Sequence, residues 1–347
     1  MKHNSTLLAY FSLISCLLFL FFLFAPIADA QWQKQIVDTK ASLRGLAVVN
    51  EKIIWASGES GTYLKTIDGG KTWKIGKVPD ADKLDFRDIE AFDVNTAYLL
   101  SIGEGENSRI YKTSDGGATW KLQFKNTNGK AFFDAFAFWD KNNGIAMSDP
   151  VDGKYLLIET KDGETWKPSD NEKMANAKQG EAAFAASGTC LITKGKTDVF
   201  LISGGSDARV FRSNNRGLSW FVANTPIVKG TAGSGIFSIA MFNKRHGAIV
   251  GGNYEKPDEI NNNLALTNDG GATWSLEKGL NGYRSSVAFI TKNILLAVGS
   301  NGSDLSTDGG KSWKSLDKEN YNAVQAKDKN AVWAVGANGL VAKYSFK

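Results

Sequence analysis

Short runs of alternating apolar and polar residues, cut by clusters of Gly, Asp, Asn and Ser, fill the chain after its first thirty residues. That period marks strands half-buried on a pleated surface. One unit reads "LRGLAVV" (43–49), "IIWASGE" (53–59), "TYLKT" (62–66), a polar turn and then "TWKIG" (72–76). The same order recurs from Phe86, Phe132, Gly180, Gly235 and Tyr283. A seventh unit starts at Tyr321 with "YNAVQA", "AVWAVG" and "LVAKYSF", which is only three strands. A run before the first unit, "WQKQIV" (32–37), offers the fourth. Repeats at such a period point to a solenoid, a propeller or an array. Four strands per unit favour an all-β, seven-bladed β-propeller whose ring closes by pairing the N-terminal strand into the last blade, which removes exposed edges. No linker divides residues 31–347, so one domain is expected there.

The turn before the last strand of each unit is spelled almost identically six times. The copies run from 66 to 73, 113 to 120, 160 to 166, 213 to 220, 267 to 274 and 306 to 313. They carry Asp68, Asp115, Asp162, Asn215, Asp269 and Asp308 at the third position and close on Trp73, Trp120, Trp166, Trp220, Trp274 and Trp313. A carboxylate there accepts N–H groups of its own turn, the glycines supply positive φ, and the tryptophan buries an apolar face at the start of the next strand. An acid in the same role at every copy argues for folding rather than for metal binding or catalysis. The copies resemble the Asp-box (bacterial neuraminidase) repeat, S/T-x-D-x-G-x-T/S-W. The third copy is one residue short and the fourth has Asn215 for Asp, so slightly irregular turns are expected at both, with less dependence on Asp162 at the third.

The chain has 347 residues, 42% of them apolar, with 36 Gly and 6 Pro, ample for a large core. Lys2 and His3 precede an apolar run from Leu7 to Phe24, and "ADA" (28–30) offers small residues for cleavage. Residues 1–30 therefore read as a secretory signal peptide, with a retained membrane anchor as the rival reading. The expected location is secreted or periplasmic. Without the signal, Cys190 is the one cysteine, so no intramolecular disulfide is available. A net charge of +5, spread along the chain, lacks the basic clusters of a nucleic-acid binder. Neither a cofactor nor a metal site is expected, because His246 is the only histidine outside the leader.

Reversal of successive strands puts the box turns on one face and the blade-to-blade crossovers on the other. The first face has short turns. Every long insertion (77–85, 148–153, 168–180, 222–235 and 252–263) falls on the second, as expected of a binding surface on a rigid scaffold. Aligning the seven units puts Arg44, Arg87, Asp134, Glu181, Phe237, Arg284 and Asn322 at the start of the innermost strands there, around the channel mouth. Three arginines, two acids and an amide could clamp a carboxylate, a sulfate or an acidic peptide segment, or could pair across blades and line a wet channel. A glycoside hydrolase would need two carboxylates across a sugar, such as Asp134 and Glu181 with Asp149 nearby. Its sialidase version would also need Arg44, Arg87 and Arg284 as a triad. A carbohydrate-binding surface without turnover is the third alternative.

Stretches such as "WASGESGTYLKTIDGGKTWK" and "LLAVGSNGSDLSTDGGKSWK" resemble the photosystem II stability/assembly factor family of propellers, with its non-photosynthetic bacterial relatives. The similarity runs over essentially all of residues 31–347. It implies a seven-bladed, exported, non-enzymatic propeller that helps membrane-protein assembly by binding a partner chain; here a monomer that meets a protein partner, such as a segment of a membrane or envelope protein, is expected. The arginine-rich patch of that family would correspond to Arg44, Arg87 and Arg284. Asp134 and Glu181 depart from a purely basic patch.

Overall fold

The structure, a computed structural model, describes residues 31–169 and 172–346. The leader-like segment 1–30 lies outside the described residues. Among the described residues no helix is long and apolar enough to cross a membrane. Seven antiparallel sheets form seven blades, over residues 43–77, 85–125, 133–168, 191–224, 234–277, 286–317 and 321–345. The last contains three strands of its own and gains a fourth from Gln31–Lys34, which pairs with Val341–Ser345. The ring is thus closed by the N-terminal strand, as the three-strand seventh unit predicts.

Each blade buries its second strand on both faces, because neighbouring blades pack against it. Ile54–Gly58, Leu295–Gly299 and Ala331–Gly336 have no exposed residue, whereas Lys74–Lys77 on an outer edge has none buried. Trp32 anchors the closing strand. Its indole N–H donates to Ser303 Oγ in blade six at 3.0 Å, and its ring lies 5.2 Å from Tyr321 and 5.1 Å from Tyr344.

The box turns follow their chemistry. Asp115 accepts the Thr119 N–H at 2.9 Å and the Thr119 hydroxyl at 2.6 Å, while the Thr113 hydroxyl accepts the Gly117 N–H. These bonds hold Asp68, Asp115, Asp269 and Asp308 down at about 2, the hydroxyl of the box Thr or Ser being the first cause. Asn215 substitutes without loss. Its Oδ1 accepts the Ser219 N–H and its amide donates to the Ser219 hydroxyl. The short third turn differs from expectation: Asp162 accepts the N–H groups of both Glu164 and Thr165 at 2.8 Å and the Thr165 hydroxyl at 2.7 Å. Losing one residue tightens the loop around its carboxylate and does not empty it.

Boxes also latch adjacent blades. Tyr63 and Lys65 of blade one donate to the carbonyls of Gly117 and Gly116 in the second box. Tyr98 and Lys112 of blade two both donate to Gly163 O in the third. In each pair the ammonium lies over an aromatic ring directly across the strand pair, Lys65 over Trp55 and Lys112 over Tyr98. At the closure Trp333 of blade seven, with Lys343 over it, meets Trp73 of the first box at 5.7 Å. The box tryptophans are buried or half-buried in these seams.

Candidate functional site: the channel mouth

Blade four departs from the expected pattern, and this decides the shape of the mouth. Its innermost strand is Leu191–Lys194, not a strand beginning at Gly180. Residues 183–189 instead form a strap across the channel. The Ala183 N–H donates to Asp149 of blade three at 2.7 Å, Ala185 O accepts from Arg87 Nη1 of blade two at 3.3 Å, and Ala186 O accepts from Arg44 Nη1 of blade one at 3.2 Å. Ser187 Oγ donates to Ser285 O of blade six and Thr189 Oγ1 to Ser238 Oγ of blade five. Small side chains permit this passage. Gly188 has φ of +74°, and a Cβ built there would lie 2.2 Å from Asp88 Oδ1. The one large strap residue, Phe184, stacks on Phe237 at 3.9 Å and sits where a Cβ at Gly204 would fall 2.2 Å from its ring.

Above the strap opens a cleft of about 550 Å³. Four of the six polar residues expected at the mouth line it: Arg44, Arg87, Asp134 and Asn322. With Phe237, all occupy an extra residue in the inner strand, where the register slips between Leu43 and Gly45, Phe86 and Asp88, Phe133 and Ala135, Ile236 and Ser238, and Tyr321 and Ala323. Such bulges re-aim a side chain out of the sheet alternation.

Arg284 does not join them. Gly299 lies against the Arg284 backbone as Gly58 lies against Leu43 and Gly336 against Tyr321, so Ser285 holds the bulge position in blade six. The alignment is one residue out, which on a strand turns a side chain to the opposite face. Arg284 is 1% exposed and forms an ion pair with buried Asp304, Nε to Oδ2 at 2.7 Å, with Nη1 on Asn301 Oδ1 at 2.6 Å. Glu181 is also elsewhere. It sits at the foot of the strap and pairs with Arg209, while accepting the Ser203 hydroxyl and the Lys178 N–H. With Arg284 and Glu181 both buried in pairs, neither the arginine triad nor the Asp134–Glu181 pair of a glycosidase forms. Asn322 lines the cleft but donates to Leu43 O at 2.9 Å, stitching blade seven to blade one.

The electrostatics of the mouth are uneven. Among the described residues Arg44 makes no ion pair, and burial followed by repulsion from Arg87 lowers its pKa. Arg87 pairs with Asp85 at 2.7 Å. Burial pushes Asp134 well above the carboxylate range, with Asp149 as the next cause, and its Oδ2 has no hydrogen-bond partner. Burial also raises Asp149, to about 6. Deeper in the channel burial takes Asp88 to about 7 and Glu90 to about 8, Asp88 adding to the latter and Lys327 opposing it. The mouth therefore presents guanidinium charge beside Asp134, a carboxyl that burial drives toward its protonated form.

Sequence reasoning missed the aromatic side of the cleft: Phe184, Tyr254 and Tyr283 with Phe132. The available signal was "EAAFAASG" (181–188), a run without β-branched residues that lacks strand chemistry. Among the described residues no group of three or more His, Cys, Asp or Glu is placed to hold a metal ion. His246 lies on the box face, its ring nitrogen 3.2 Å from Asn243.

Neither a family model nor a curated protein matches the chain. Solved structures do. A structure described as YCF48 bound to D1 peptide aligns over 91% of this chain and 97% of its own, at 16% identity and a TM-score of 0.67. YCF48 from Cyanidioschyzon merolae aligns over 91% and 99%, at 17% identity and a TM-score of 0.67. The U3-55K structure aligns over 91% and 98%, at 14% and 0.62. At these identities the likeness establishes the seven-bladed fold alone.

Proposed function

We propose that the protein is an exported, non-enzymatic propeller that binds a protein partner at its channel mouth and acts as an assembly factor. The observation that carries this reading is Arg44. Its half-buried guanidinium lines the cleft with no ion-pair partner among the described residues, beside a second guanidinium and the raised carboxyl of Asp134. An anionic group on the partner would complete that charge. The fold supports the reading too, because one similar propeller has been solved with a peptide bound. Export rests on the leader-like pattern of residues 1–30, and the partner is taken to be a segment of a membrane or envelope protein met by a monomer.

Affinity capture from the envelope fraction of the source cells tests this. Wild-type protein should retain a defined partner, and retention should weaken with salt, since charge-assisted contacts are screened. Arg44→Ala or Arg87→Ala should each weaken binding about tenfold, the equivalent of about 1.4 kcal/mol, while the melting temperature stays nearly constant. Absence of any partner, or retention indifferent to both arginines, would overturn the reading.

A further inference from the structure

The strap does more than close the channel, because it shows what the cleft can hold. Within three consecutive residues it places an aromatic ring on Phe237 and carbonyl oxygens on Arg87 and Arg44. Each guanidinium uses one Nη on the strap. Among the described residues Arg44 has no hydrogen-bond partner for its Nε and second Nη, nor Arg87 for its second Nη.

The aromatic side is equally unfinished. Tyr254, on the long 252–263 insertion, is 49% exposed. It stands edge-on to Phe184 and Phe237, with centroids 6.5 and 6.2 Å away. Tyr283 packs edge-on against Phe237 at 4.7 Å and lines the same cleft as both arginines. An apolar wall with an exposed ring at its rim thus adjoins free guanidinium donors. The strap spans the separation between the two in one or two residues, through a turn closed by the Ala186 N–H on Phe184 O at 2.8 Å.

We propose that the mouth contains an aromatic subsite beside its guanidinium pair, so that its ligand is a peptide segment with an aromatic side chain one or two residues from a carboxylate. The ligand ring lies against Tyr254 and Phe184, where edge-to-face contact adds to burial. The carboxylate takes the free donors of Arg44 and Arg87. This rests on the peptide-binding reading above and adds the side chains that the partner must present.

The probe is a fluorescently labelled ten-residue Gly/Ser peptide holding one Phe and one Asp separated by a single residue. Its analogues replace the Phe by Ala, or the Asp by Asn. The parent should bind in fluorescence polarisation, and each analogue should bind about fivefold more weakly. Tyr254→Ala, at an exposed position, should leave the melting temperature unchanged. It should erase most of the preference for Phe over Ala and keep the preference for Asp over Asn.

Equal affinity for the Phe and Ala peptides overturns the subsite, as does a Phe preference that survives both Tyr254→Ala and Phe184→Leu. Displacement of the parent peptide by a glucuronic-acid oligosaccharide, itself dependent on Tyr254, overturns it in favour of an acidic glycan. If no peptide binds while arginine-dependent partner capture persists, the subsite fails and the broader reading stands. If both are absent, both fail.

Discussion

A one-residue offset separates Arg284 from Arg44 and Arg87, and it changes the chemistry entirely. The two mouth arginines sit in bulges and face a cleft, whereas Arg284 faces the core against Asp304. Removing Arg284 would leave a fully buried carboxylate with, among the described residues, only the Asn281 donors. Arg284→Ala should therefore cost about 3–5 kcal/mol of stability, read by chemical denaturation, and protein that remains folded should bind its partner normally. A selective loss of binding at intact stability would place Arg284 back at the mouth. The sequence shows that arginines cluster near the starts of inner strands. It does not show where each strand slips register, since a bulge is set by the paired strand and leaves no mark of its own.

At the scale of elements, the box turns were legible and the strap was not. Turn residues act on their own backbone, so Asp, Gly and Trp at fixed offsets suffice to specify them. The strap is held by groups from five other blades, and no local pattern in "EAAFAASG" announces that. The latches fall between these cases. Their boxes are visible, but Lys65 and Lys112 gain meaning only from the box of the next blade. The third turn supplies a direct comparison. Asp162→Ala and Asp115→Ala remove similar sets of acceptor bonds. Each should lower the melting temperature by about 2–5 °C, and by similar amounts. A clearly smaller shift for Asp162→Ala would show that the shortened turn holds itself without its carboxylate.

The whole molecule carries two opposed populations of carboxyl groups. Box aspartates held near 2 stabilise the fold above the ordinary carboxylate range, and lose that contribution as pH falls from about 4 to 2. The channel and mouth groups are raised instead: Asp149 to about 6, Asp88 to about 7 and Glu90 to about 8. For them the folded chain holds protons that the unfolded chain has released, so their contribution is present below about pH 4 and fades as pH rises through 6 to 8. The groups that face them are Asp134 with Arg87 at the mouth, the Ala183 N–H on Asp149, the Phe136 N–H on Asp88 and Lys327 opposite Glu90. The melting temperature should fall by several degrees between pH 5 and pH 8, and Asp88→Asn should flatten the slope. A flat or rising profile in the wild type would contradict this distribution of charge.

The pairing of Gln31–Lys34 with Val341–Ser345 has a temporal meaning. The first described residues of the chain belong to its last blade, and Trp32 finds Ser303 across 271 positions of sequence. No growing chain can finish the ring early. Six blades can pair from local contacts as they are made, yet the N-terminal strand must wait, unpaired, until the final one arrives. Completion is then a single late event with a large loop to close. Anything that holds the two ends apart, such as a tether at the start or a stalled synthesis at the end, keeps the molecule an open arc with two unpaired edges.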